Sequence, residues 1–523
     1  MPRSLLPFLI AFILLRLVFW LVTFPNPDEA YYWLWGQHPA LSYYDHPPLE
    51  AWIQGVFTAV FGRSTFTLRL PNVFSNVVFF YTYYRIIGYL YGDTMMRQFW
   101  FVVLLVLASP LYFLFLALAW HDHLLITLSL VSAYLLIRFL DGYIATGKGE
   151  SWQLYGAAGA IALAELSKYN AVFVGLGFAV TLIVDKRLRP LWRDRRLYFA
   201  IVIALAAFIP IVLWNVSNDF QSFRYYVDRS VATGSYRLQL SPFLNFVLFS
   251  ILLVSPMICV GFFKGFKRSW PQLKVRSVYP TVAFWVFIIS TLVLTGIALI
   301  SAALYYWNIT AYLLLFPLLP AVFEQRAGAI HQESSVAPQE TEATQNSTFL
   351  TSKSRPFLSR EPLFLTAQGY GLLFATLLVV HYSVLPISAL FDRETDPDSR
   401  MLFGWEQVAA VVKTQAASIG GAPFVATTDY RSASALAYQL NDRAVMAISD
   451  RVDQFDFWYT SDASFKGRNA VILWDDWHPA SSELLAEFDH ASDKMTVAIV
   501  RFGVWIKNYY IVKGYGFKGG RVS

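Results

Sequence analysis

Charge is scarce in this chain: 15% of its 523 residues are Asp, Glu, Lys or Arg, against about 25% in an ordinary soluble domain. That excludes a water-soluble enzyme of usual composition. Cysteine is almost missing. The single Cys259 lies in an apolar run, so there is no intramolecular disulfide framework and no marker of redox compartment. There is no P-loop, and no G-x-G-x-x-G followed by a suitable helix, so no motif supports a nucleotide-binding fold. No internal repeat is visible, whereas transporters favour inverted repeats.

Apolar side chains fill the gap. The chain is 56% hydrophobic with a mean hydropathy of +0.46, and apolar runs recur from residue 4 to residue 390. Aromatic residues make up 17%, including 17 Trp, which fits repeated membrane–water boundaries. The net charge of +6 does not point to nucleic acid, because the basic residues cluster in short loops between apolar runs.

A spanning helix needs about 20 apolar residues. Eleven segments qualify: 4–24, 70–91, 98–119, 123–141, 152–166, 169–184, 197–214, 243–263, 279–300, 303–323 and 363–390. The pair 152–166 and 169–184 reads either as one kinked helix or as two tight spans. The first segment is too long for a signal-peptide core and lacks a cleavage site, so it reads as retained. Residues 185–196 hold six basic side chains and 264–278 hold five, which puts both loops on the cytoplasmic side. Segments 25–69, 120–122, 167–168, 215–242, 301–302 and everything after 390 then lie outside.

The expected organisation is an all-α polytopic membrane domain over 1–327, a cytoplasmic flexible linker at 328–362 and a last transmembrane helix at 363–390. The linker composition is rich in Ser, Thr, Gln, Glu and Pro. Residues 391–523 read as a small outer α/β domain, because short apolar stretches such as 470–474 alternate with helix-like ones such as 431–440.

The outer segments carry the polar chemistry. The first reads PNPDEAYYWLWGQHPALSYYDHPPLEAWI, too polar to span and too aromatic for a free tether. Its aromatic residues suit short helices in the interface plane. Asp28 and Glu29 follow the first span at once, where partial burial would tune a carboxylate towards general-base duty; Asp28 equally suits the N-cap of a helix starting at Glu29. Asp45 and His46 precede two prolines that fix where their side chains point. A turn with Asp45 capping the next helix is the plainer reading. Trp120-His121-Asp122-His123 is the second cluster. His121 and His123 can hold a divalent metal only on non-helical backbone, since i and i+2 diverge on a helix. Asp122 as a substrate-site carboxylate is favoured. Lys168 sits at a break between two apolar runs, where it either holds a phosphate or snorkels to headgroups. Arg224, Arg229 and Arg237 lie among aromatics in 215–242, suited to phosphate or carboxylate or to a solvated helix.

The stretches PNPDEAYYW…YYDHPPLEAW, AWHDHLL, GAIALAELSKYNAVF, WNVSNDFQSFRYYVDR, YYWNITAY, DYRSASALAYQL and QFDFWYTSDASFKGRNAVIL occur in an order that resembles one family. It is the bacterial GT-C-fold glycosyltransferases of the family 39, protein O-mannosyltransferase-like branch, which includes the aminoarabinose and galacturonic acid transferases of lipid A. The likeness covers nearly the full length. It implies a sugar donor on polyprenyl phosphate, a glycolipid such as lipid A or its core as acceptor, and an inverting displacement. It further implies a monomer in the bacterial inner membrane with a site facing the periplasm. It implies Asp28 as the first-loop acid, Asp122 as the acid opening the fourth span and Lys168 as a donor-phosphate ligand. Glu29, Tyr43, Asp45, His46, Tyr169, Arg224, Arg229 and Trp307 complete the expected substrate-binding set. One departure stands out: the aminoarabinose transferases have Lys before the two prolines, where this chain has His46, a cation only when protonated. Rival readings are a lipid-linked sugar transporter, favoured by Arg16 inside the first span, a protein O-mannosyltransferase-like enzyme, and a non-catalytic scaffold.

Overall fold

The structure, a computed structural model, describes residues 3–230, 238–267, 276–323, 362–392, 394–449, 451–459 and 465–519. The linker expected at 328–362 falls almost wholly outside the described residues, as does Arg237; the side chain of Arg229 does too.

The chain is mostly helical. Helix α1 (Leu6–Val22) is apolar throughout except for Arg16. Arg16 Nη1 donates to Asn76 Oδ1 at 2.9 Å and its Nη2 to the Phe113 carbonyl at 2.7 Å, and the guanidinium lies over the Phe113 ring. A charge at membrane depth is costly unless paired, and here it ties three segments together.

Two helices follow outside the first span: α2 (Pro27–Gln37) and α3 (Leu49–Phe61). The long α4 (Thr65–Tyr91) starts at a Ser64 cap, whose Oγ accepts the Thr67 N–H at 3.0 Å. It ends at Gly92, whose φ of 57° suits glycine, and α5 (Met95–Leu107) packs back on it. Next come α6 (Pro110–Phe115), α7 (His121–Thr146), α8 (Ser151–Ser167) and α9 (Val172–Val184).

Five helical stretches are long and apolar enough to cross a bilayer, and three bent pairs raise the number to eight among the described residues. The expected eleven are not reached on this measure. One of the five, Thr65–Leu107, contains the turn at Gly92 and so covers two of the expected segments. The segments 152–166 and 169–184 form separate helices of 17 and 13 residues, each short of a full span. Lys168 breaks them apart with extended backbone, φ −158° and ψ 134°. Leu240–Val254 and Pro256–Lys267 meet at 96°, a broken element in place of the straight span expected at 243–263.

The C-terminal region carries a six-stranded sheet: β1 (Phe424–Thr427), β2 (Met446–Ala447), β3 (Ala470–Asp475), β4 (Phe488–Ala491), β5 (Met495–Arg501) and β6 (Val504–Phe517). The order is β2-β1-β3-β6-β4, with β5 also on β6. β1 pairs in parallel with β2 and β3, while β6 runs antiparallel to β3. All six residues of β3 are buried, as a central strand covered on both faces should be.

This sheet region is not a separate bead. Its apolar core continues into α2: Tyr31, Trp33 and Trp35 cluster with Trp405, Leu436, Tyr438 and Phe455. Tyr31 stacks on Phe455 at 6.1 Å and Trp33 meets Tyr438 edge-on at 5.1 Å. The expectation of interface-plane helices therefore needs correcting for α2, whose aromatic run is buried under protein. Below it, α2 crosses α3 at Gly36 and Gly55. A Cβ on Gly36 would stand 2.6 Å from the Gly55 nitrogen, so this crossing needs glycine for close approach.

Candidate active site

A short cap sets up the first functional side chain. Asn26 is the N-cap of α2: its Oδ1 accepts the Asp28 N–H at 3.1 Å, and the Glu29 carboxylate accepts the Asn26 N–H at 2.8 Å. This reciprocal box is a strong helix start. It also removes the capping role from Asp28, whose carboxylate is left to face a cavity.

Glu29, one residue on, points about 100° away around the helix and into the protein. It takes Arg69 Nε at 3.0 Å and Nη2 at 2.6 Å, and the Ala119 N–H at 2.8 Å. Arg69 in turn donates to the carbonyls of Phe19 and Thr23 at the end of α1. Glu29 is fully buried and lines neither cavity described below; it holds α1, α2 and α4 in register.

The cavity over Asp28 is about 410 Å³. Its wall includes Asp28, Asp45, His46, His121, Asp122 and Lys168 from the membrane half, with Asp398, Tyr430, Arg431 and Arg451 from the C-terminal region. Three of its four carboxylates have a cation. Lys168 Nζ reaches both Asp122 oxygens, at 2.8 and 2.9 Å. Arg451 Nη2 reaches Asp45 Oδ1 at 2.7 Å, and Asp45 Oδ2 accepts the Tyr31 hydroxyl at 2.9 Å. Arg431 pairs with Asp398. Asp28 is the exception, with no ion pair or carboxylate hydrogen bond from a described residue. Burial pushes its carboxyl up to about 6; the neighbouring Arg431 pulls the other way, and Asp398 and Asp45 add to the rise. A carboxyl tuned to that range exchanges protons near neutrality.

A second cavity of about 230 Å³ adjoins the first and shares His46, Lys168 and Tyr306 with it. Its other walls are mostly apolar, from Val172, Phe173, Leu294 and Ile297, with Tyr169, Tyr226 and Trp307. Lys168 therefore stands at the junction, its ammonium 4.8 Å from the Tyr306 ring centroid. His46 stands there too, with Nδ1 3.0 Å from the Tyr226 hydroxyl and its ring 4.4 Å from His121.

The histidines of the second cluster separate. Residues 121–123 open α7, so neighbouring rings diverge. His123 turns to the interior, with Nδ1 2.8 Å from Ser75 Oγ and Nε2 3.1 Å from Glu50. His121 lies edge-on to Tyr32 at 4.1 Å. No group of three metal-binding side chains occurs among the described residues.

Of the residues singled out in the sequence, Asp28, Asp45, His46, His121, Asp122 and Lys168 come together in the larger cavity, and Tyr169 and Trp307 line the smaller one. Tyr43 does not: it is buried against Trp35 at 4.5 Å, its hydroxyl among the backbone groups of Trp35, His38 and Ala40. Arg224 is exposed and lines neither cavity.

The residues missed are those of the roof. Tyr430 and Arg431 follow the end of β1, and Asp475 ends the neighbouring parallel strand β3. Parallel strands commonly offer functional groups at these carboxyl ends. Arg431 Nη2 lies 3.0 Å from His478 Nε2, His478 Nδ1 lies 2.8 Å from Asp475, and Lys507 Nζ reaches Asp475 at 2.6 Å. The Asp-Tyr-Arg sequence that opens a helix, with Asp429 as its N-cap, is the signal that was available.

A sequence model of the family described as dolichyl-phosphate-mannose-protein mannosyltransferase matches residues 45–214. Lipid A galacturonosyltransferase RgtD of Rhizobium johnstonii is 26% identical over 324 residues, which cover 60% of this chain and 63% of that protein, so the match spans less than two thirds of its length. Two solved structures of ArnT from Cupriavidus metallidurans share the fold. The apo form aligns over 97% of both chains with a TM-score of 0.62 at 15% identity. The form bound to undecaprenyl phosphate aligns over 97% of both with 0.59 at 16% identity. The chain is thus similar to a mannosyltransferase family model over residues 45–214 and to a lipid A galacturonosyltransferase over 60% of its length, and it shares the fold of ArnT over 97%.

Proposed function

We propose that the protein is a glycosyltransferase of the bacterial inner membrane that moves one sugar from a polyprenyl-phosphate carrier to a periplasmic glycolipid acceptor, lipid A or its core. The observation that carries this reading is the unpaired Asp28, held near neutrality in a cavity whose other carboxylates are all matched by cations. The relatives support the substrate classes: RgtD is named for lipid A, and ArnT was solved with undecaprenyl phosphate.

In this reading Asp28 takes the proton of the acceptor hydroxyl as its oxygen attacks the anomeric carbon. The bond from that carbon to the phosphate oxygen breaks on the opposite face, and the configuration inverts. The departing lipid phosphate gathers negative charge, which preorganised cations stabilise. Lys168 at the cavity junction is the first of these, and His46 joins when protonated. Asp122 holds the Lys168 ammonium in place. The larger cavity takes the sugar and acceptor, and the smaller apolar one takes the first units of the polyprenyl chain. The organisation that goes with this scheme is a membrane domain over 1–327, a linker at 328–362, a last span at 363–390 and a periplasmic domain over 391–523 that roofs the site.

Mass spectrometry of lipid A and core from a deletion strain tests the reading. A species lighter by one hexose, pentose or hexuronic acid, restored by the gene in trans, is the expected result. An unchanged envelope glycolipid profile with altered protein glycans would move the acceptor to protein. An accumulation of lipid-linked donor on the cytoplasmic face would favour a transporter.

A further inference from the structure

At the opposite end of the bundle from the cavity, α4, α7 and α8 leave a groove of about 420 Å³. Its lining has two zones. Val78, Val131 and Leu135 form an apolar part, while Arg85 and Arg138 bring two guanidinium groups to the same groove, with Tyr81, Tyr134 and Trp152 beside them. Arg85 lies twenty residues beyond the start of α4 and Arg138 seventeen beyond the start of α7. At about 1.5 Å per residue this is roughly 25–30 Å from the cavity end, close to the far boundary of a bilayer core.

No carboxylate is among the lining residues. The one acid further along α7 from Arg138 is Asp141. It accepts from the Tyr89 hydroxyl at 2.6 Å, from the Val278 N–H at 2.8 Å and from Ser277. The arginines instead rest on aromatics. Arg85 donates to the Tyr81 hydroxyl at 3.0 Å, and Arg138 lies 4.3 Å from the Tyr89 ring centroid. Trp152, 63% exposed, marks the headgroup level at the groove mouth. Two guanidiniums at the membrane boundary with no acidic partner among the described residues call for an anion, and their planar donors suit a phosphodiester. The apolar zone above suits an acyl chain.

We propose that this groove is a binding site for an anionic phospholipid of the leaflet opposite the catalytic cavity. Basic pockets between transmembrane helices take anionic headgroups in this way. The site is independent of the transferase reaction and tests separately from it.

Native mass spectrometry of the purified full-length protein, delipidated and then given equal dioleoyl-phosphatidylglycerol or dioleoyl-phosphatidylcholine, reads the site. The parent chain retains phosphatidylglycerol at least threefold over phosphatidylcholine. The double variant Arg85→Gln/Arg138→Gln loses that preference, and Arg187→Gln, an exposed arginine outside the groove, keeps it. Val131→Trp fills the apolar zone with both arginines in place and weakens retention as well, which guards against a misfolded double variant. Equal retention of the two lipids by the parent chain, or a preference that survives in both groove variants, overturns the proposal. Undecaprenyl phosphate held in the groove in preference to phosphatidylglycerol overturns the assignment to a phospholipid.

Discussion

Asp28 and Glu29 are adjacent and chemically alike, yet the fold gives them opposite duties. One helical step separates their directions, so a cap that sends Glu29 inward to Arg69 sends Asp28 to the cavity. The distinction has measurable consequences. With a carboxyl near 6 in the free protein, the base form of Asp28 prevails above that pH. We expect kcat/KM to rise with pH, to reach half its plateau near pH 6, and to fall tenfold per unit below it. Arg431 holds the Asp28 carboxyl down, so Arg431→Gln should move the inflection to higher pH; a shift to lower pH would contradict the assignment. Glu29 should respond through stability. Arg69→Met leaves a buried, uncompensated carboxylate, a change that costs about 3–5 kcal/mol. The expected result is a lower thermal midpoint in detergent. An unchanged midpoint would show that the buried pair does not hold the three helices.

At the scale of elements, the crossing of α2 over α3 fixes the helix that carries Asp28. Gly36 and Gly55 let the two backbones touch, and the two helices carry Asp28 and Glu50 in their first turns. Gly36→Ala puts a methyl group against the Gly55 nitrogen and the Ala51 carbonyl, and neither can give way without moving a helix. We expect reduced expression or a lowered melting midpoint, with any folded fraction impaired in transfer. A variant of parental stability and activity would mean that the crossing relaxes freely. Some of this was legible beforehand. The Asp-Glu pair, the Asp-His-Pro-Pro turn and the Lys168 break are contiguous signals with local causes, and Asp28, Asp45, His46 and Lys168 from them line the cavities while Glu29 does not. The fate of Tyr43 was not, because aromatic content alone does not separate a wall residue from one stacked beneath it.

Across the whole molecule, the part hardest to read in the sequence is the roof. Arg451 meets Asp45 from 406 positions away, and Gln454 accepts the Tyr44 N–H and donates its own N–H to Tyr31. No local pattern announces such distances; they follow from the way the sheet region shares one apolar core with α2. The helical half was legible as a set of apolar segments, but not as a count of spans. Breaks such as the 96° bend after Val254 arise from packing that composition does not record.

The account rests on Asp28 as the base. The direct test is to complement the deletion strain with wild-type protein, Asp28→Asn and Asp28→Glu at matched membrane levels, and to weigh the envelope glycolipids. The account predicts that Asp28→Asn fails to restore the missing sugar, with the initial rate down by about 10²–10⁴-fold, the usual contribution of a general base, and that Asp28→Glu recovers part of it. Restoration by Asp28→Asn at the wild-type rate would contradict the account.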